Sequence, residues 1–327
     1  MANVLVTGGA GYIGSHACKA LAEAGFVPCA FDDLSTGWRE AARFGPLIEG
    51  SLLDPAALDR AFAQTRPVAV MHFAAFSQVG ESVAEPGRYW RNNVGGSLEL
   101  LAAMARAGVE RLVFSSTAAV YGEAEAELIP EDAPPRPTSP YGATKLAVER
   151  MIADFGRAGG LRAMVFRYFN VAGADPQGRV GEHHRPETHL APLVLDAARG
   201  ARDAITIHGT DYPTPDGACV RDYLHVEDLI AAHRLGLERL LEGGAGDTLN
   251  LGTGRGWSVR EVIDRARAVT GREIPVRVGP RRPGDPARLV CDGRRAMARL
   301  GWRPARSDMD DMLRDAWAWA QGPGYAG

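Results

Sequence analysis

Val4-Leu5-Val6-Thr7-Gly8-Gly9-Ala10-Gly11-Tyr12-Ile13-Gly14 is the stretch on which the reading of this chain turns. A short apolar run reads as a buried strand. Gly8, Gly11 and Gly14 follow at even spacing, and the helical pattern Ile13, Ala17, Leu21 begins before they end. Strand, glycine turn and helix come in the order a dinucleotide site requires. Gly8 would make the tight turn, Gly11 would let backbone approach a pyrophosphate, and Gly14 would let the helix pack closely on the strand. The free N–H groups and positive dipole end of such a helix, around Tyr12 and Ile13, favour phosphate. Asp32, followed by Asp33, closes a second strand-like run, Val27 to Phe31, at the distance where a carboxylate takes the adenosine ribose hydroxyls. It would repel a 2′-phosphate, so NAD is expected rather than NADP.

The chain has 327 residues and a net charge of −3, with no long run of like charge. That gives no electrostatic reason to expect nucleic acid or an anionic membrane as partner. No apolar run is long enough for a membrane span and no signal core follows Met1, so a cytoplasmic protein is expected. Cys18, Cys29, Cys219 and Cys291 are too widely spaced to form a ligand pair, and reduced thiols are expected.

Further along, Leu47 to Glu49, Ala69 to Phe73, Arg111 to Ser115 and Arg162 to Arg167 read as strands. Helical patterns near 55–65, 86–107 and 140–157 alternate with them. The alternation predicts a doubly wound parallel sheet of Rossmann type over residues 1–170, with ligands at the carboxyl ends of its strands. A smaller α/β lobe over 171–327 is expected, with later segments free to rejoin the first sheet. Three strand ends carry unusual chemistry: His72-Phe73-Ala74-Ala75, whose small residues would let a cofactor pass, Ser115-Ser116-Thr117, and Arg167-Tyr168-Phe169-Asn170. The acidic, proline-rich stretch Glu123 to Pro137 reads as a solvated connection. After it, Ser139 is a natural N-cap and Pro140 a natural first helical residue, so Tyr141 and Lys145 fall on one face of a helix.

At this point the chain resembles a family. Thr-Gly-Gly-Ala-Gly-Tyr-Ile-Gly, Ser-Ser-Thr and Tyr141-x-x-x-Lys145 are similar to the extended short-chain dehydrogenase/reductases. Gly80-Glu81-Ser82, Asn92-Asn93-Val94, Arg167-Tyr168-Phe169-Asn170 and the long segment Asp211 to Val226 narrow the likeness to the UDP-hexose 4-epimerase branch. Arg281-Arg282-Pro283-Gly284-Asp285 and the C-terminal Trp317 and Trp319 extend it nearly end to end. The resemblance implies an isomerase that interconverts UDP-galactose and UDP-glucose on a tightly held NAD, working as a homodimer. It implies Tyr141, Lys145 and Thr117 as the catalytic set. Ser51, Leu52, Phe73, Ala74, Ala75, Asn93, Ser115 and Tyr168 would join Gly8, Gly11, Tyr12, Ile13, Gly14, Asp32, Asp33, Tyr141 and Lys145 around the cofactor. Asn170, His189, Leu190 and His208 would line the UDP-sugar site beside Thr117 and Tyr141, with Arg221 and Arg282 on the diphosphate and Asp285 on the uridine ribose.

The chemistry is consistent with the residues. Taking hydride from a hydroxyl-bearing carbon needs a base for the hydroxyl proton, and tyrosine, with an ordinary pKa of about 10, needs help to act as one. The Lys145 ammonium and the nicotinamide charge are expected to lower it. Departures from the family are Ser51 for a common aspartate, Ser77 for a lysine, Thr117 for a serine, and Leu289 near the position that gates N-acetylated sugars. Rival readings are a 4-epimerase of another UDP-sugar, such as UDP-N-acetylglucosamine or UDP-xylose, and a non-catalytic NAD-binding sensor. A 4,6-dehydratase would need an acid pair after Thr117, where Ala118 and Ala119 stand. His183, His184, Glu187 and His189 cluster in sequence but match no zinc spacing, and no metal is expected.

Overall fold

The computed structural model describes residues 1–124, 126–282, 285–322 and 324–325, so Pro283 and Gly284 of the Arg281 to Asp285 segment lie outside the described residues. Its strands are β1 (Asn3–Thr7), β2 (Val27–Asp32), β3 (Leu47–Glu49), β4 (Ala69–His72), β5 (Arg111–Ser115), β6 (Arg162–Tyr168), β7 (Asn170–Ala172), β8 (Ile205–His208), β9 (Val220–His225), β10 (Asp247–Leu251), β11 (Gly256–Ser258), β12 (Val276–Gly279) and β13 (Arg288–Leu289).

The main sheet has seven strands in the order β10-β6-β5-β4-β1-β2-β3, all parallel. Its strands are mainly apolar because both faces are covered. Val4 and Val6 point into one core, shared with Ala17 and Leu21 of the helix Tyr12–Glu23 and with Leu229 and Leu237 of the helix Val226–Leu241. Leu5, between them, points into the other, with Phe62, Leu100, Met104 and Ile152. The order reverses between β1 and β4, and that is where a doubly wound sheet opens a crevice.

Beyond residue 170 the chain divides. The helix Val226–Leu241 and β10 complete the first sheet, while β7, β9, β11 and β13 form a small sheet of their own and β8 pairs with β12. The lobe these make has a separate core around Leu195, Trp257, Ile263 and Met312. It is tied to the first helix by polar contacts: Tyr12 donates to the Gly173 carbonyl at 2.7 Å and Lys19 pairs with Asp175 at 2.8 Å, while Lys19 also pairs, at 2.6 Å, with Glu227 of the helix Val226–Leu241. Among the described residues, no helix is long and apolar enough to cross a membrane.

The stretch 123–137 is less solvated than its composition suggests. Ile129 is fully buried, its N–H donating to Val290 and its carbonyl accepting from Asp292, while the Glu131 carboxylate accepts the Asn250 N–H. One apolar residue in a charged loop is enough to pin it when a strand end lies beneath.

The glycine turn is a steric necessity. Gly8 lies at φ +72°, and a Cβ there would meet the Ala74 nitrogen at 2.7 Å; one on Gly14 would meet the Gly8 carbonyl oxygen at 2.0 Å. A Cβ on Gly11 would meet nothing nearer than 3.3 Å and would project into the cleft. Two substitutions therefore separate folding from binding. Gly14→Ala, which in an open helix would add stability, is expected to cost about 2 kcal/mol or more. Gly11→Ala is expected to lose co-purifying NAD and to keep its melting temperature within about 3 °C of the NAD-stripped parent. Thermal melts and cofactor extraction check both, and an unaltered melt for Gly14→Ala would contradict this packing.

Candidate active site

The carboxyl ends of β1, β2, β4, β5 and β6 open onto a cleft of about 630 Å³. At one end lies the glycine turn. The helix that follows has no side-chain N-cap, so its first N–H groups face the cleft. The Asp32 carboxylate closes the turn, accepting from Ala10 N–H at 3.0 Å and Leu34 N–H at 2.9 Å. Burial pushes its carboxyl up, and these two bonds oppose the rise. Phe73 and Ala74 both donate to the Thr7 carbonyl, which holds the β4 end against the turn. The arrangement fits a dinucleotide: donors for phosphate, a carboxylate for ribose, and a space that a side chain on Gly11 would fill.

At the other end the helix Pro140–Gly159 begins. The Ser139 hydroxyl accepts from Gly142 N–H and Pro140 occupies the first helical position, as the sequence pattern predicts. Tyr141 and Lys145 follow on the face toward the cleft, with the Thr117 and Tyr141 hydroxyls within hydrogen-bonding reach of each other. Lys145 Nζ donates to the Ser115 carbonyl at 2.9 Å, and the Ser115 hydroxyl is bonded to Tyr168. The electrostatics of the protein alone differ from the sequence expectation. Burial pushes the Tyr141 phenol up to about 12, with the Thr117 contact opposing the rise, and burial pushes the Lys145 ammonium down to about 7. Loss of water acts on both groups, and the Lys145 ammonium is directed at a backbone carbonyl.

Of the residues expected at the cofactor, Gly8, Gly11, Tyr12, Ile13, Gly14, Asp32, Asp33, Leu52, Phe73, Ala74, Ala75, Ser115 and Tyr168 line this cleft. Ser51 and Asn93 do not. Asn93 is buried and spends its amide on the protein, accepting from Phe76 N–H at 2.9 Å and donating to the Phe76 carbonyl at 3.0 Å and to Thr144. These bonds shape the loop that borders the cleft. Of the residues expected at the sugar nucleotide, Thr117, Asn170, His189, Leu190, Arg221 and Asp285 line the cleft, as does Leu289. His208 lies at the end of β8, outside the lining, and Arg282 is largely exposed. Arg221 and Arg282 both reach Asp285, at 3.6 and 2.9 Å.

The sequence cluster near His189 is regrouped by the fold. His183 turns away to stack on Trp38 and Tyr325, and Glu182 takes its place beside His184, Glu187 and His189. The four side chains are already matched to one another: His189 lies 2.8 Å from Glu182, and His184 lies 3.3 Å from both carboxylates. Glu187 further accepts the Thr188 and His189 N–H groups. The cluster thus braces the turn that presents His189 and Leu190. Burial works against charge on His184 and His189, but the two carboxylates raise both, to about 9 and about 10. Raised folded values mean that the brace is complete below the ordinary histidine pKa and is lost as pH climbs through the raised values. The melting-temperature advantage of the parent over a His184→Gln/His189→Gln variant is expected to shrink from about pH 6 to about pH 10; a gap independent of pH would contradict the ion pairs.

The chain belongs to the NAD dependent epimerase/dehydratase family, whose model matches residues 4–252. It is 51% identical to the UDP-glucose 4-epimerase of Streptomyces lividans over 317 residues, 96% of this chain and 95% of that one. Its structure is similar to that of the UDP-glucose 4-epimerase of Brucella ovis in complex with NAD, with a TM-score of 0.95 and 47% identity, covering 97% of this chain and 98% of the other. It is similar also to the UDP-glucose 4-epimerase of Bifidobacterium longum in complex with NAD⁺ and UDP, with a TM-score of 0.92 and 35% identity over 97% of each chain.

Proposed function

We propose that this protein interconverts UDP-galactose and UDP-glucose by reversible oxidation at C4 of the sugar, with Tyr141 as the proton acceptor and donor. The observation that carries the reading is the meeting, in one cleft, of the glycine turn with the Tyr141 and Thr117 hydroxyls and Lys145. Bound NAD supplies a reversible hydride acceptor. The turn residues Gly8 to Gly14 would hold its pyrophosphate and Asp32 its adenosine ribose, with Lys145 near the nicotinamide ribose. Tyr141 takes the proton of the sugar 4-hydroxyl and later returns it, and Thr117 shares that hydrogen bond. A phenol pushed up to about 12 is a reluctant base, so positive charge beside it is what makes the step accessible, and Lys145 is the cation this chain provides. Arg221 would meet the diphosphate and Asp285 the uridine ribose, with Arg282 closing from the rim. The sugar presents its other face between the two proton transfers, within the cleft of about 630 Å³.

Purified protein given UDP-galactose is the test, with products followed by chromatography. Tyr141→Phe is expected to keep fold and bound NAD while losing about 10²-fold or more in rate; an undiminished rate removes Tyr141 from the mechanism. Thr117→Val keeps the shape of the side chain and is expected to cost less than Thr117→Asp, which sets a carboxylate against the phenolate. Equal and negligible losses would sink the sharing role of Thr117.

We further infer that the protein is a homodimer. Val83, Trp90 and Leu98 are exposed on the segments 79–84, 90–95 and 96–107, which pack beside the helix Pro140–Gly159. An apolar surface of this kind on a charged protein favours a second copy. Trp90→Asp is expected to shift the sedimentation coefficient to that of a monomer, and a parent that already sediments as a monomer contradicts the inference.

A further inference from the structure

Behind the catalytic face of the same helix lies a buried carboxylate that the scheme above leaves unused. Glu149 stands one turn beyond Lys145, with 9% of its side chain exposed. It accepts from the Ser116 hydroxyl at 2.5 Å, from Arg167 Nε at 3.0 Å and from Arg167 Nη2 at 2.5 Å. Arg167 Nη1 donates in turn to the Tyr121 hydroxyl at 2.9 Å, which donates to the Asn250 side chain at 2.7 Å. The carboxylate thus joins the helix to the ends of β5 and β6, and through Tyr121 to β10. Buried ion pairs are seldom more stable than apolar packing of the same shape, so stability alone does not account for this one.

Ser116 is the informative partner. It lies between Ser115, whose carbonyl receives Lys145, and Thr117, whose hydroxyl faces Tyr141. We propose that Glu149 is a positioning residue for the epimerisation: its carboxylate fixes Ser116, and so the groups on either side of it, while presenting a fixed negative charge to Lys145 from the next helical turn. This rests on the epimerase reading. Burial pushes the Lys145 ammonium down, and Glu149 is the group that opposes it. The other titratable groups facing Lys145 are His72 from β4, Tyr168 from β6 and Tyr141 from its own helix. Burial keeps all of them neutral, pushing His72 down to about 3 and the two phenols up. Arg167 is the counter-ion of the Glu149 carboxylate.

The test exploits the composition, because Lys19 and Lys145 are the only lysines in the chain. Holoenzyme labelled with ¹³C at the lysine ε-carbon gives two resonances, and Lys145→Met assigns them. In Glu149→Gln the Lys145 titration midpoint is expected to fall by about one pH unit or more. The kcat for UDP-galactose should fall about tenfold or more, with KM changed less than about threefold. Arg167→Gln leaves the carboxylate without its counter-ion and is expected to move the midpoint upward. Glu149→Asp retains the charge and is expected to restore the midpoint and part of kcat. Should Glu149→Gln fail to fold, Glu149→Gln/Arg167→Gln strands no charge and is expected to show a smaller fall, because loss of the Arg167 charge offsets part of it. Opposite shifts in the Glu149 and Arg167 variants are what a merely structural role does not produce. Midpoints that stay put, or move together, overturn the proposal, as does a kcat within about twofold of the parent in the folded Glu149→Gln protein. A parent holoenzyme that leaves UDP-galactose unconverted defeats the epimerase reading instead, and the midpoints still decide whether Glu149 governs the charge of Lys145.

Discussion

The backbone of β1 and the backbone just beyond β4 approach so closely at Gly8 that no side chain fits between them. With the Thr7 carbonyl receiving both Phe73 and Ala74, and Gly14 lying against the Gly8 carbonyl, the turn has one available course. The N-terminus of the helix Tyr12–Glu23 is thereby aimed along the top of the sheet, at the point where strand order reverses. Asp32 fastens the turn from the neighbouring strand, and Tyr12 reaches across to the second lobe. The cleft, its donors and its far wall all follow from that one contact. Gly14 thus serves the packing of the turn, and Gly11 the space beside it.

Burial sets the electrostatics of the cleft. It works against charge on Asp32, Tyr141 and Lys145 alike, and the protein offsets it with local partners: two backbone N–H groups for Asp32, the Thr117 hydroxyl for Tyr141, and Glu149 for Lys145. Lysine is all but absent from a chain with 37 basic residues, and both lysines are buried. Lys19 is locked between Asp175 and Glu227. Lys145 is left with a carbonyl and a carboxylate one turn away. A compact ammonium, unlike a guanidinium, can change its charge in such a place.

How far the sequence carries depends on the range of the interaction. Helix start at Ser139 and Pro140, the glycine spacing, and Tyr141 with Lys145 on one face are local matters and are legible residue by residue. The apolar strand runs give the parallel sheet because a strand covered on both faces has no polar side to show. Contacts across the sheet are another matter. Gly9 is required because a Cβ there would meet Ala30 on β2 at 2.7 Å, and nothing near Gly9 in sequence announces Ala30. Asn93 meets Phe76 and Thr144, and no local pattern announces either partner. The Glu182 carboxylate takes the place of His183 in the brace, which the sequence cluster alone does not announce. Glu149 and Arg167 meet through a helix and a strand, and a mid-helix glutamate has no sequence signature that sets it apart from a solvated one.

In the proposed reaction C4 is inverted by oxidation and return within one cleft, with nothing exchanged with solvent at carbon. UDP-galactose carrying deuterium at C4, incubated with purified protein and no added NAD, tests it most directly. The account predicts UDP-glucose with the deuterium fully retained at C4. Loss of the label to water would mean a proton-abstraction mechanism in which neither the dinucleotide turn nor Tyr141 has the role described above, and would contradict the account outright.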